Sequence, residues 1–165
     1  MRLASSDGAC VELRPVRYEF AAPPQSTDGE VDFDANWVVV DGRVRTVDGT
    51  EYSFRDACLL TDEMRRISRW LRAVADHRVP PMPLPVTESR LLAFTEPNVA
   101  FSVSADHQSE MTIRVHLSLD SGPPSLAAEG LELYDYFVEL ALTPDDLGVA
   151  AASWDLEIAA FPQRS

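Results

Sequence analysis

The chain has 165 residues, 45% of them apolar, which suits one domain that buries roughly 70% of the surface its unfolded form exposes and needs no disulfide or metal to fold. Its 27 acidic residues face only 14 basic ones, all arginine, and the formal charge of -13 argues against a nucleic-acid binder; it would attract cationic partners, though taken alone it is read first as serving solubility. Nothing approaches the roughly 20 apolar residues that span a bilayer, and the N-terminus lacks the apolar run of a secretory signal, so a single cytoplasmic domain over 1–165 is expected.

Residues 11–20 read as a first strand of imperfect alternation, ended by the loop that begins Ala21-Ala22-Pro23-Pro24. From Asp28 the alternation is strict. Asp28, Glu30, Asp32 and Asp34 interleave with Gly29, Val31, Phe33 and Ala35 and run on into Trp37 and Val39. An extended backbone would project those four carboxylates from one face at intervals of roughly 6.6 Å.

Asp48-Gly49 between two β-rich runs predicts a hairpin with a two-residue type I′ turn. That register places Trp37, Val39 and Val47 on the core face with Leu60, Cys58, Phe54 and Tyr52. It also sets Asp41 opposite Asp56, and opposed like charges are destabilising. The two could form a carboxylate dyad with one raised pKa. A bulge at Gly42 that re-aims the chain is the favoured alternative. Cys10 and Cys58, the only cysteines, are expected as small buried hydrophobes in a reducing compartment.

Residues 60–77 carry a helical pattern, with Thr61 as N-cap, Asp62 and Glu63 in the first turn, and Met64, Ile67, Leu71 and Val74 at helical spacing. Arg65, Arg66, Arg69 and Arg72 fall on its outer side as a solvated face. Four prolines between 78 and 88 forbid helix and central strand alike and mark an extended connector. Strand patterns follow over 91–94, 99–104, 111–119 and 131–142. In the third, Met111, Ile113, Val115, Leu117 and Leu119 alternate with Thr112, Arg114, His116 and Ser118 as a half-buried strand would. Thr143-Pro144-Asp145-Asp146 opens a second helix with Leu147, Ala150, Ala151, Trp154, Ile158 and Phe161 on one face. The expected fold is α+β, an antiparallel sheet of about six or seven strands with two helices packed on one side.

No chemistry stands out. His77, His107 and His116 have no zinc-motif spacing, the glycines are scattered singly, and Cys58 has no basic neighbour, so no metal, cofactor or catalytic residue is expected. Two readings stay open beside a binding protein. One is a carboxylate hydrolase on Asp41 and Asp56 with His116 near; the other is a small-molecule module with an apolar pocket.

Asn36-Trp37 ahead of a strand, Ser53-Phe54-Arg55-Asp56-Ala57-Cys58-Leu59-Leu60 leading into a helix, and Phe94-Thr95-Glu96-Pro97-Asn98 before the next strand resemble the WapI family of immunity proteins. Tyr134 to Leu140 and a closing helix ending Phe161-Pro162 extend the resemblance over nearly the whole chain; the Pro-rich connector and the Asp28 to Asp34 ladder depart from it. The resemblance implies a cytoplasmic protein that protects a bacterium by binding the C-terminal toxin domain of a contact-deployed system, often a nuclease. A nuclease holds polyphosphate and is basic there, so an acidic partner can match it. Within the shared motifs Trp37, Phe54, Arg55, Asp56, Glu96 and Asn98 read as structural, with Arg55 and Glu96 as an ion pair. The expected toxin-binding residues are Asp28, Glu30, Asp32 and Asp34.

Overall fold

A computed structural model describes residues 1–21, 33–125 and 130–164. Among the described residues, seven strands and two α-helices follow one another as β1 (Arg2–Ala4), β2 (Cys10–Tyr18), β3 (Trp37–Arg45), β4 (Glu51–Leu60), α1 (Thr61–Ala75), β5 (Val99–His107), β6 (Glu110–Leu117), β7 (Phe137–Leu142) and α2 (Pro144–Ile158). The α+β class holds, with the strands divided between two antiparallel sheets, β1-β2-β3-β4 and β5-β6-β7. The run over 131–142 is strand only from Phe137, and that over 91–94 makes a single bridge, Leu92 to Phe101.

Both sheets and both helices contribute to one hydrophobic cluster. α1 buries Met64, Ile67, Leu71 and Val74 and leaves its four arginines exposed, while α2 buries Leu147, Ala150, Ala151 and Trp154. The Trp154 indole N–H donates to the Met64 carbonyl at 2.7 Å and Arg72 pairs with Asp155 at 2.6 Å, which joins the helices through a buried and an exposed contact. Thr143 caps α2 as expected, its hydroxyl accepting from Asp146 N at 3.1 Å. The cap of α1 is Leu60 rather than Thr61, because Glu63 Oε2 takes the Leu60 N–H at 3.1 Å and frees the Thr61 hydroxyl to reach Asn36.

The hairpin register differs from expectation by one residue. Thr46 N donates to Thr50 O at 2.9 Å, and Gly49 N to Thr46 O at 3.0 Å with Gly49 at φ 86°, so the loop holds three residues and ends in a left-handed glycine. A one-residue slip exchanges the faces of a strand. The core side of β3 is therefore Val38, Val40 and Val44, while Val47 lies exposed in the turn. Asp41 faces Arg55, not Asp56, and takes Arg55 Nη2 at 2.7 Å. No bulge occurs at Gly42. Gly42 sits opposite Phe54, and a Cβ there would come within 2.0 Å of the Phe54 ring, so the missing side chain makes room for an aromatic. The irregularity lies instead between Val38 and Val39.

β6 also differs, being buried on both faces. Arg114 Nη1 donates to Met82 O at 2.8 Å, His116 Nδ1 lies 2.7 Å from Tyr134 O, and Tyr134 N donates to Ser118 Oγ at 2.9 Å. The polar row thus fastens down the Pro-rich connector and the segment before β7.

Candidate functional site

The acidic ladder expected over 28–34 has only its last member in view. Asp28, Glu30 and Asp32 lie outside the described residues, and Asp34 sits exposed in a 3-10 turn, Asp34–Asn36, rather than in a strand. Asn36 anchors that turn. Its Nδ2 donates to Arg164 O at 2.8 Å while its Oδ1 accepts from Arg164 N at 2.8 Å and Thr61 Oγ1 at 2.9 Å, which ties the turn to the start of α1 and to the C-terminal segment.

Asp34 opens onto a groove at the end of the first sheet, lined also by Phe20, Trp37, Asp56, Glu96 and Asp120. Asn98 holds Asp56 in place, donating to its carboxylate at 2.6 Å. Burial pushes the Asp56 carboxyl above its ordinary pKa and the charge of Asp120 adds to the rise, against the pull of the Ala57 N–H. Arg55 points the other way and pairs with Asp41, so the expected Arg55–Glu96 pair does not form; Glu96 stands exposed on the groove rim.

This groove runs into a second through Leu119 and Asp120, and the second into a third through Leu131, Glu132 and Leu133. Among the described residues, no arginine or histidine lines any of the three. Leu119, expected to continue the buried side of β6, is 55% exposed, with a left-handed backbone at φ 51° in the 3-10 turn Leu119–Ser121. Leu131 and Leu133 are likewise exposed, just before the anchored Tyr134, itself at φ 69°. Their alternation resembles that of strand core, and their sequence offers no signal that the chain has left the sheet.

The open readings of catalysis lose their geometry. Asp41 is on the outer face of the first sheet with Arg55, and Asp56 bonds to Asn98. His116 is fully buried with Nε2 2.9 Å from Ser102 Oγ; the Tyr134 carbonyl only accepts, so Nδ1 carries a proton, and burial lowers the ring's pKa from its ordinary value. Among the described residues, no three His, Cys, Asp or Glu side chains stand together as metal ligands would, and no helix is long and apolar enough to cross a membrane. Cys10 and Cys58 are free thiols, with Cys58 buried and pushed up to about 12 by that burial. The grooves are open furrows rather than an enclosed apolar cavity.

The model of the WapI-like immunity protein family matches residues 2–162. The chain belongs to that family. No curated protein and no solved structure matches it at a significant level. Membership in the WapI-like family makes toxin immunity its class of activity and a toxin its partner. Four of the residues that carry the resemblance lie at and beneath the first groove: Asn36 clamps, Trp37 and Asp56 line, and Asn98 braces.

Proposed function

We propose that this protein resides in the cytoplasm and neutralises a cognate secreted toxin domain with a cationic surface, of the kind a nuclease presents, by occupying it with an acidic one. One observation carries this reading: a chain in the WapI-like immunity family, with 27 acids against 14 arginines, has, among its described residues, carboxylates and no arginine along three joined grooves. Complementary potential speeds encounter and rejects wrong partners, and it weakens with salt. Asp28, Glu30, Asp32 and Asp34 are proposed to contribute as a group, since they follow one another closely in the chain and Asp34 lies on the groove. The mode of action is binding rather than turnover.

The test is capture of the C-terminal domain of any large secreted protein encoded just upstream of this gene, at low and at high salt. Binding that weakens with salt, and weakens again when Asp28→Asn, Glu30→Gln, Asp32→Asn and Asp34→Asn are combined, is expected. Absence of binding at every salt concentration contradicts the reading.

A further inference from the structure

We propose that the toxin docks across the three joined grooves by seating apolar side chains, carried on a basic segment, between Trp37, Leu119, Leu131 and Leu133. This inference rests on the immunity reading and adds to it the surface used and the chemistry of the segment received.

Exposed apolar side chains scattered singly need no explanation, whereas a contiguous set rimmed by polar groups marks an interaction site. Here Phe20, Leu119, Leu131 and Leu133 are 51%, 55%, 41% and 47% exposed and all line the joined grooves. Two neighbouring exposed residues extend the set, Phe33 beside Asp34 and Leu84 beside Pro85. Elsewhere among the described residues the large exposed apolar side chains are Val16 on β2, Val47 in the hairpin turn, and Val149 and Leu156 on α2, none of which lines these grooves.

Leu119 sharpens the point. A bulky residue with a left-handed backbone is uncommon, and such conformations persist where surrounding structure imposes them. Ser118 N donates to Asn98 O at 2.8 Å and Ser121 N to Ser118 O at 3.0 Å, and these bonds hold the turn that turns Leu119 outward. Tyr134, also left-handed, is held by His116 and Ser118 beneath, so Leu131 and Leu133, which lead into it, are presented next to a fixed support. A partner therefore meets a preformed surface, which lowers the entropy lost on binding.

Charge selects the occupant. Asp56, Glu96, Asp120 and Glu132 rim the apolar set with no arginine in the lining to answer them. An acidic or neutral segment would bury those carboxylates uncompensated, while guanidinium or ammonium groups flanking an apolar anchor would pair with them. Asp56, already disfavoured as an anion by burial, gains most from such a neighbour.

The experiment is titration calorimetry of the adjacent gene's toxin domain against the wild type, Leu119→Arg with Leu131→Arg, Asp120→Arg, and Arg43→Glu on the outer sheet face as control. The leucine pair is expected to weaken binding by about 100-fold or more and Asp120→Arg by about tenfold, with Arg43→Glu within about threefold. Thermal melts confirm folding, and all four positions are exposed or at groove rims. Wild-type binding left intact by both groove variants overturns the docking site while the immunity reading stands. In parallel, amide shifts are mapped with an arginine-rich peptide bearing a central tryptophan. Shifts at Trp37, Asp56, Leu119 and Leu133 support the site even if that toxin domain fails to bind, in which case the immunity reading falls alone. Shifts confined to the outer sheet face overturn it, as does concentration-dependent self-association abolished by the leucine pair, which would make a second copy the occupant.

Discussion

The outer face of the first sheet and the groove face handle charge in opposite ways. Across the sheet, Arg2 faces Glu12 and Glu12 faces Arg43; Arg14 faces Asp41 and Asp41 faces Arg55; Arg45 faces Glu51. These rows place five arginines against three carboxylates, so a protein of formal charge -13 has one face that leans basic. The Arg55 guanidinium holds the Asp41 carboxyl below its usual range, and Arg14 and Arg43 add to the effect. Among the described residues, the groove lining holds carboxylates and no arginine, with apolar side chains among them. Alternating opposite charges satisfy one another and leave little field for a partner. The net charge of this protein is therefore informative only once its location is known, and eight of its acids line the grooves.

If the groove face is held from beneath, cutting that support has the largest effect. Arg114 is 6% exposed, donates to Met82 O, Glu139 Oε1 and Ser104 Oγ at 2.8–3.0 Å, and lies over the Phe137 ring. Arg114→Met removes all of these and is expected to cost about 3 kcal/mol in urea unfolding. A loss near zero would mean that the polar row of β6 does not support the connector.

The neighbouring His116 gives the same support a pH dependence. Burial lowers its pKa from the ordinary 6.5, and the charge of Arg114 lowers it further, against the pull of the Tyr134 carbonyl. The unfolded chain thus takes up a proton before the folded one does. This contribution to stability is complete above about pH 6.5 and declines as the pH falls through the window below it, down to the depressed folded value. Stability curves should show that slope in the wild type and lose it in His116→Gln, whose starting stability is lower. An unchanged slope in the variant would assign the pH dependence to other groups.

Smaller, and of opposite sign, is the effect at the groove itself. Leu119→Gly relieves a left-handed backbone at an exposed position and should leave stability unchanged or raise it by up to about 1 kcal/mol, while toxin affinity drops by about tenfold. A clear loss of stability would show that Leu119 belongs to the core. The least effect is expected from Asp41→Asn on the sheet face, a change in melting near the limit of detection that shrinks further with salt, because the partner Arg55 is 67% exposed.

Much of the fold is legible in the sequence because its signals are local. The Thr143-Pro144-Asp145-Asp146 cap, the apolar stripe of α1 and the alternation of β6 need no knowledge of the rest of the chain. The hairpin shows where local reading ends. Asp48-Gly49 marks the turn in either case, but Gly49 closes a three-residue loop, and that one residue exchanges the partners of Asp41 and removes the suspected dyad. Alternation likewise reports polarity and not burial: Arg114, His116 and Ser118 look solvated in sequence and are covered by segments distant along the chain. The groove was hidden for the same reason. Leu119, Leu131 and Leu133 match a buried strand pattern, and their outward placement depends on distant bonds: the Asn98–Ser118 contact at Leu119 and the anchoring of Tyr134 on β6 beside Leu131 and Leu133.

The most direct test of toxin immunity through the groove face is growth of cells expressing the adjacent gene's toxin domain together with one of three forms of this protein. The wild type and Arg43→Glu should restore growth, and the Leu119→Arg, Leu131→Arg pair, expressed at equal level, should not. Full protection by the leucine pair, or equal failure of all three forms, would contradict the account.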